Sequence, residues 1–153
     1  MKKLICIGFL LLINGIVSGQ CDSIKLGKIL NILKYVDPAQ KSYLKWSFDK
    51  VSEDTSTYVY ARCPWDGEIN CFPFKEYLLM SKVKRNYARF QCYDKGVYDS
   101  LKKEIMSTAV VQTSNGINYY LVENNILINV VEMETRKFNC NIKMVYIIEF
   151  LKQ

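Results

Sequence analysis

Val110-Val111-Gln112-Thr113-Ser114-Asn115-Gly116-Ile117-Asn118-Tyr119-Tyr120-Leu121-Val122 is the stretch on which the fold turns. Asn-Gly suits the two positive-φ positions of a type I′ turn, and both arms are rich in β-branched and aromatic residues, so the segment reads as a tight antiparallel hairpin. Downstream, Asn124-Asn125 supplies a second turn and Ile126 to Glu134 a third strand. Cys140, Ile142, Met144, Tyr146, Ile148 and Phe150 then alternate with their neighbours through a fourth. Upstream, Val97, Leu101 and Ile105 mark one stripe of a short amphipathic helix. Four strands in succession give an antiparallel meander with one face packed on that helix, an α+β arrangement.

Further toward the N-terminus the pattern is less regular. Ala88, Phe90 and Cys92 alternate as a strand, and a short helix is expected over about Lys75 to Val83. Pro64 to Pro73 carries loop chemistry, Thr57 to Cys63 reads as a strand, and Ser52 to Ser56 as the polar turn before it. Leu44, Trp46 and Phe48 alternate as the other arm of this N-terminal β-hairpin. An N-terminal helix precedes it: Asp22-Ser23 is a suitable N-cap, Ile24, Ile29, Leu30, Leu33 and Val36 recur at helical spacing, and Asp37-Pro38 ends the run. The expected organisation is one small α+β domain over 20–153, with 20–93 and 94–153 as its halves. Asp22-Ser23-Ile24-Lys25 echoes Asp99-Ser100-Leu101-Lys102, as a tandem duplication would.

Residues 1–19 have the make-up of a secretory signal peptide. Lys2 and Lys3 are followed by an apolar run from Leu4 to Ile13, then by Val17-Ser18-Gly19, with cleavage expected before Gln20. No later stretch reaches the length of an apolar transmembrane helix. The expected location is secreted or periplasmic, and Cys21 is a candidate for a lipid anchor as an alternative. Removing Lys2 and Lys3 from 21 basic residues leaves 19 against 15 acidic ones, a net charge of +4.

The chain has no histidine, which excludes the Ser-His-Asp triad, the Cys-His pair and His-ligated zinc. Pairs such as Ser42/Lys45, Ser47/Lys50, Ser81/Lys84 and Ser100/Lys103 match S-x-x-K without the companion motifs that give it meaning. Glu132 and Glu134 share a strand face, where paired acids are ordinarily solvated. No catalytic residue, metal ligand or cofactor is therefore expected, and no enzyme activity. Lys82, Lys84, Arg85 and Arg89 interleave with Tyr87 and Phe90 and read as a solvated face, with no nucleic-acid partner expected. The cysteines read as an oxidised set. Cys63 and Cys71 flank a turn-rich loop that a disulfide would close, worth about 2–3 kcal/mol by chain entropy. Cys92 and Cys140, each in a strand pattern, are the second candidate pair, and other connectivities stay open.

The run Gln112-Thr113-Ser114-Asn115-Gly116, followed by Ile117-Asn118-Tyr119-Tyr120-Leu121, resembles the Q-x-V-x-G hairpin and V-N-Y-x-L strand of the cystatins, inhibitors of cysteine proteases. Cys140-Asn141-Ile142-Lys143-Met144 resembles the cystatin strand leading to the second inhibitory loop, and Gly96 stands where the family has a glycine before its helix. The likeness covers about Gly96 to Leu151. It departs from the family where Ser114 replaces the central valine and where Ile147-Ile148-Glu149-Phe150 replaces the second loop's Pro-Trp. The Pro-Trp of this chain, Pro64-Trp65, lies elsewhere. The resemblance implies a sheet wrapped on a helix and a non-enzymatic binding protein. Its partner would be a papain-like protease, and its contact residues Gln112, Thr113, Ser114, Asn115 and Gly116. The alternative is a secreted or envelope-associated structural or interaction domain, to which the eleven tyrosines give mild support.

Overall fold

Two helices and eight strands account for the residues that the computed structural model describes, namely 21–35, 48–64, 72–84, 86–123, 125–134 and 144–153. In chain order they are α1 (Leu26–Tyr35), β1 (Asp49–Glu53), β2 (Thr57–Pro64), β3 (Phe74–Ser81), β4 (Tyr87–Cys92), α2 (Lys95–Thr108), β5 (Val110–Ser114), β6 (Ile117–Val122), β7 (Ile126–Glu134) and β8 (Met144–Lys152). The strands form one antiparallel sheet in the order β1-β2-β3-β4-β8-β7-β6-β5. Each half thus contributes a helix followed by a four-stranded meander, and the last strand of each, β4 and β8, pair at the centre from Tyr87↔Leu151 to Cys92↔Tyr146. The expected N-terminal hairpin is therefore not a separate piece. It extends through β3 and β4 into the C-terminal meander.

Both helices lie on one face of this sheet. Tyr98, Leu101 and Ile105 of α2 and Ile29 and Ile32 of α1 are buried in the same core as Tyr60, Leu78, Phe90, Ile128, Ile148 and Phe150. The helices meet where the carboxylate of Glu104 accepts from the Leu26 amide at 2.8 Å and pairs with Lys25 at 3.6 Å. That contact sets the start of α1. It begins at Leu26, and the Asp22 carbonyl accepts a hydrogen bond from Arg62 Nη2 across 40 residues.

The second helix is longer than its periodicity suggests, at 14 residues, because its cap lies further upstream. Asp94 Oδ1 accepts from the amides of Gly96 and Val97 at 2.7 and 3.2 Å, satisfying two donors that the first turn leaves open. Asp94→Ala should lower stability by about 1 kcal/mol in urea unfolding, with the fold unchanged by circular dichroism. This cap also dissolves the internal echo, since Asp22 lies four residues before its helix and Asp99 four residues inside its own. The repetition is one of topology.

One element is of the wrong type. The segment read as a helix over Lys75 to Val83 is strand β3, paired with β2 from Thr57↔Ser81 to Pro64↔Phe74 and with β4 from Glu76↔Cys92 to Met80↔Ala88. Glu, Leu and Met favour helices, but a weak local preference yields to pairing on both sides. Of the expected Leu44-Trp46-Phe48 strand, 44–47 lie outside the described residues. Phe48 is buried just before β1 and meets Phe90 edge-on at 6.5 Å between ring centres. The turn expected over Ser52 to Ser56 starts later, because Ser52 and Glu53 pair with Val59 and Tyr58 as the end of β1. β7 matches its expected span, β2 runs one residue past Cys63 to Pro64, and β8 runs from Met144 to Lys152, its expected beginning at Cys140 lying outside the described residues.

Candidate functional site

The Asn115-Gly116 turn is built as its residues dictate. Asn115 has φ 51° and Gly116 φ 76°, and the pairing runs from Ser114↔Ile117 to Val110↔Leu121 without a shift. Thr113 Oγ1 donates to Asn118 Oδ1 at 2.8 Å, tying the two arms near the tip. All five residues of β5 are exposed, as are Asn115, Gly116, Ile117 and Asn118. Gln112, Thr113, Ser114, Asn115 and Gly116 therefore lie together on one projecting hairpin at the edge of the sheet. The segment from Val110 to Val122 carries no charged side chain.

Two further positions named by the resemblance lie in regular structure. Ile147-Ile148-Glu149-Phe150 is the middle of β8 rather than a loop, between β4 and β7, with Ile148 fully buried and Ile147 only 5% exposed. Gly96 sits in the first turn of α2, immediately after central strand β4, so no free N-terminal segment precedes it. Glu134 and Met144, which pair at the same end of the sheet as the Asn115-Gly116 turn, bracket residues outside the described set, Cys140 among them.

The disulfide framework differs from that read off spacing. Cys63 bonds to Cys21, with 5.7 Å between Cα atoms, and not to Cys71, which lies outside the described residues. A sulfur so bonded cannot carry the thioether of a lipid anchor. Cys92 is a buried free thiol rather than one half of a pair with Cys140. Its pKa is pushed up to about 12 by burial and by the carboxylates of Glu76 and Asp94, so it is no nucleophile near neutral pH. The bond is compatible with a protein outside the reducing cytosol, and among the described residues no helix is long and apolar enough to cross a membrane.

Sequence reasoning missed the charged group beside this bond. Arg62 Nε lies 3.1 Å from Glu76 Oε2, with Glu76 buried at 3% side-chain exposure and Arg62 mostly covered at 10%. The Nε–H is directed to Cys63 Sγ, 3.2 Å away, so the pairing with Oε2 is ionic and that oxygen accepts no hydrogen bond. Glu76 Oε1 is 3.6 Å from Cys63 Sγ, which has no proton to give. Burial raises the Glu76 carboxyl above its ordinary value and Arg62 pulls it down. The signal was present in Glu76, Leu78 and Met80, which alternate on the buried side, but it is visible only once the segment is read as a strand.

The basic-aromatic stretch is taken apart by the fold. Phe90 is fully buried on the helix face, Lys82 pairs with Glu53 at 2.7 Å and lies over the Tyr58 ring, and Arg89 pairs with Glu149 at 2.8 Å. Tyr87 donates to Glu149 Oε1 at 2.7 Å and Asn129 to Oε2 at 3.2 Å, closing a polar network on the helix-free face of the sheet. Of the eleven tyrosines, Tyr60, Tyr93 and Tyr120 are buried within the fold. Comparison with family models, with curated proteins and with solved structures yields no match to this chain.

Proposed function

We propose that the chain is an exported, non-enzymatic binding protein that presents the Gln112–Gly116 hairpin to a protein partner, as a divergent cystatin-like inhibitor of a papain-like cysteine protease. The observation that carries this reading is the hairpin itself. A type I′ turn with regular pairing holds an uncharged, exposed tip at the edge of a meander that packs on α2. A preorganised loop of this kind binds without the ordering penalty that a flexible one would incur. With one tip and neither the tryptophan anchor nor the N-terminal arm, the affinity expected is modest, with an inhibition constant in the micromolar range. The residues placed to enter a protease cleft are Ser114, Asn115 and Gly116, with Gln112 behind them on the exposed strand.

The test is inhibition of a papain-like protease by the mature, oxidised protein and by its Gln112→Ala and Gly116→Trp variants. The expected result is saturable, reversible inhibition by the wild type that either variant weakens at least about tenfold, as loss of a contact worth over 1.4 kcal/mol would. Thermal melting controls for folding. No inhibition at about 100 μM would end the protease reading. The alternative, an interaction domain, draws on the helix-free sheet face. There Val110, Leu121, Leu127, Leu151 and Tyr87 align in one apolar row across five strands.

A further inference from the structure

The two edges of the sheet are built differently, and the difference is informative. At β1 the pairing with β2 shifts between Lys50 and Ser52, Lys50 and Lys82 both pair with Glu53, and both ammonium groups lie over Tyr58. An irregularity and a charge cluster are the usual means of preventing a further strand from adding. At β5 neither device is present. Val110-Val111-Gln112-Thr113-Ser114 contains no charge and no proline, and it pairs with β6 without a shift. Of the exposed large apolar side chains, three gather here: Val110 at 67%, Val111 at 55% and Ile117 at 48%.

The register says which backbone groups this edge offers. In a two-residue hairpin the residues flanking the turn exchange both hydrogen bonds, and bonded pairs then alternate along the ladder. Ser114, Gln112 and Val110 therefore bond to β6, while Val111 and Thr113 turn their N–H and C=O groups outward. We propose that this edge is a self-association surface, on which β5 of a second copy pairs antiparallel about a two-fold axis through Gln112.

That axis sets Val111 opposite the second copy's Thr113 and Thr113 opposite its Val111, so all outward groups on both strands are matched. Gln112 faces its own equivalent at a position that needs no bond. Val110 lies beside the other copy's Ser114 on one face of the joined sheet and Val111 beside its Thr113 on the other, so both exposed valines gain a neighbour across the seam. Because the whole hairpin is uncharged, the two copies meet without like-charge repulsion. The strand offers a foreign peptide no charge to select it, whereas a second β5 is complementary by construction. The proposal stands apart from the inhibitory reading and bears on it, since the seam covers Gln112 and Thr113 and leaves the two Asn115-Gly116 turns free at opposite ends.

A seam of two five-residue strands falls short of the roughly 1,600 Å² of a standard interface, so the association expected is weak and concentration-dependent. Sedimentation of the mature, oxidised chain between about 10 μM and about 1 mM should show the mass rising from one chain toward two. Val111→Lys gives β5 the kind of charge that guards β1 and should keep the mass at one chain throughout, while Val51→Lys on β1 should leave the rise unchanged. Hydrogen exchange gives a second readout, with the Val111 and Thr113 amides gaining protection as concentration rises. A single-chain mass across the range overturns the proposal, as would a dimer that survives Val111→Lys or one that Val51→Lys abolishes.

Discussion

Loss of the Cys21–Cys63 bond should lower the unfolding free energy by about 4 kcal/mol, the chain-entropy value for a loop of this length. The bond spans 42 residues, and its position gives the loss a structural meaning. Cys21 precedes α1, whose buried Ile29 and Ile32, with Ile24 and Leu26 before them, complete the core over the N-terminal half of the sheet. The other described ties on this segment are the Glu104 contacts and the Arg62–Asp22 hydrogen bond, each near the surface. Without the disulfide the unfolded chain gains the freedom of the open loop, and α1 keeps its place by side-chain burial and these near-surface ties. Urea unfolding of the Cys21→Ser/Cys63→Ser double variant measures this. A midpoint shifted down with an unchanged slope is the expected outcome, and a loss below about 1 kcal/mol would show that the bond constrains little. Cys92 offers no replacement partner, because its thiol is buried and stays protonated.

How far each half of the fold was legible follows from what its strands bury. In the C-terminal half the turn residues are unambiguous, and Tyr146, Ile148 and Phe150 alternate toward the helix, so the succession of strands could be read directly. β3 is the opposite case. Its buried side carries Glu76 together with Leu78 and Met80, and its other side carries the half-buried Tyr77 and Leu79. A strand with apolar residues on both faces and an acid on the inner one has no two-residue period to detect. The disulfide was missed for a related reason. Spacing favours short loops, whereas the Cys21–Cys63 bond depends on the segment before α1 lying against the end of β2, which no local pattern encodes. At the hairpin the turn chemistry was legible in Asn115-Gly116. That Ile147 to Phe150 is central strand and not a loop depends on β4 pairing with β8, a contact about 60 residues apart in the chain.

The second large effect is expected at the ion pair beside the disulfide. Arg62→Met should destabilise the protein by about 3–5 kcal/mol at neutral pH, because it leaves the Glu76 carboxylate charged, buried and unpaired. The loss should depend on pH. Burial raises the Glu76 carboxyl above its ordinary 4.5, while Arg62 opposes the rise. A carboxyl whose folded pKa is raised contributes most to stability below its unfolded value, and that contribution is lost as pH rises through the folded pKa. Wild type should therefore gain stability from this group as pH falls from neutral toward 4.5. Removing Arg62 raises the folded pKa further and widens the window. The difference between variant and wild type should accordingly be largest at neutral pH and shrink on acidification, as Glu76 becomes neutral in both. Arg62 also lies over the Phe48 ring at 5.8 Å, so part of the loss is packing and will not titrate. Adding Glu76→Leu to Arg62→Met should restore most of the titrating part, since an apolar pair of similar volume removes the unpaired charge. Urea unfolding at several pH values between about 4.5 and 8 separates the two contributions. A loss independent of pH and unrelieved by the second substitution would assign Arg62 to packing alone. A loss that fades with acid would show that the charge of Glu76 is tolerated in the core only because Arg62 faces it.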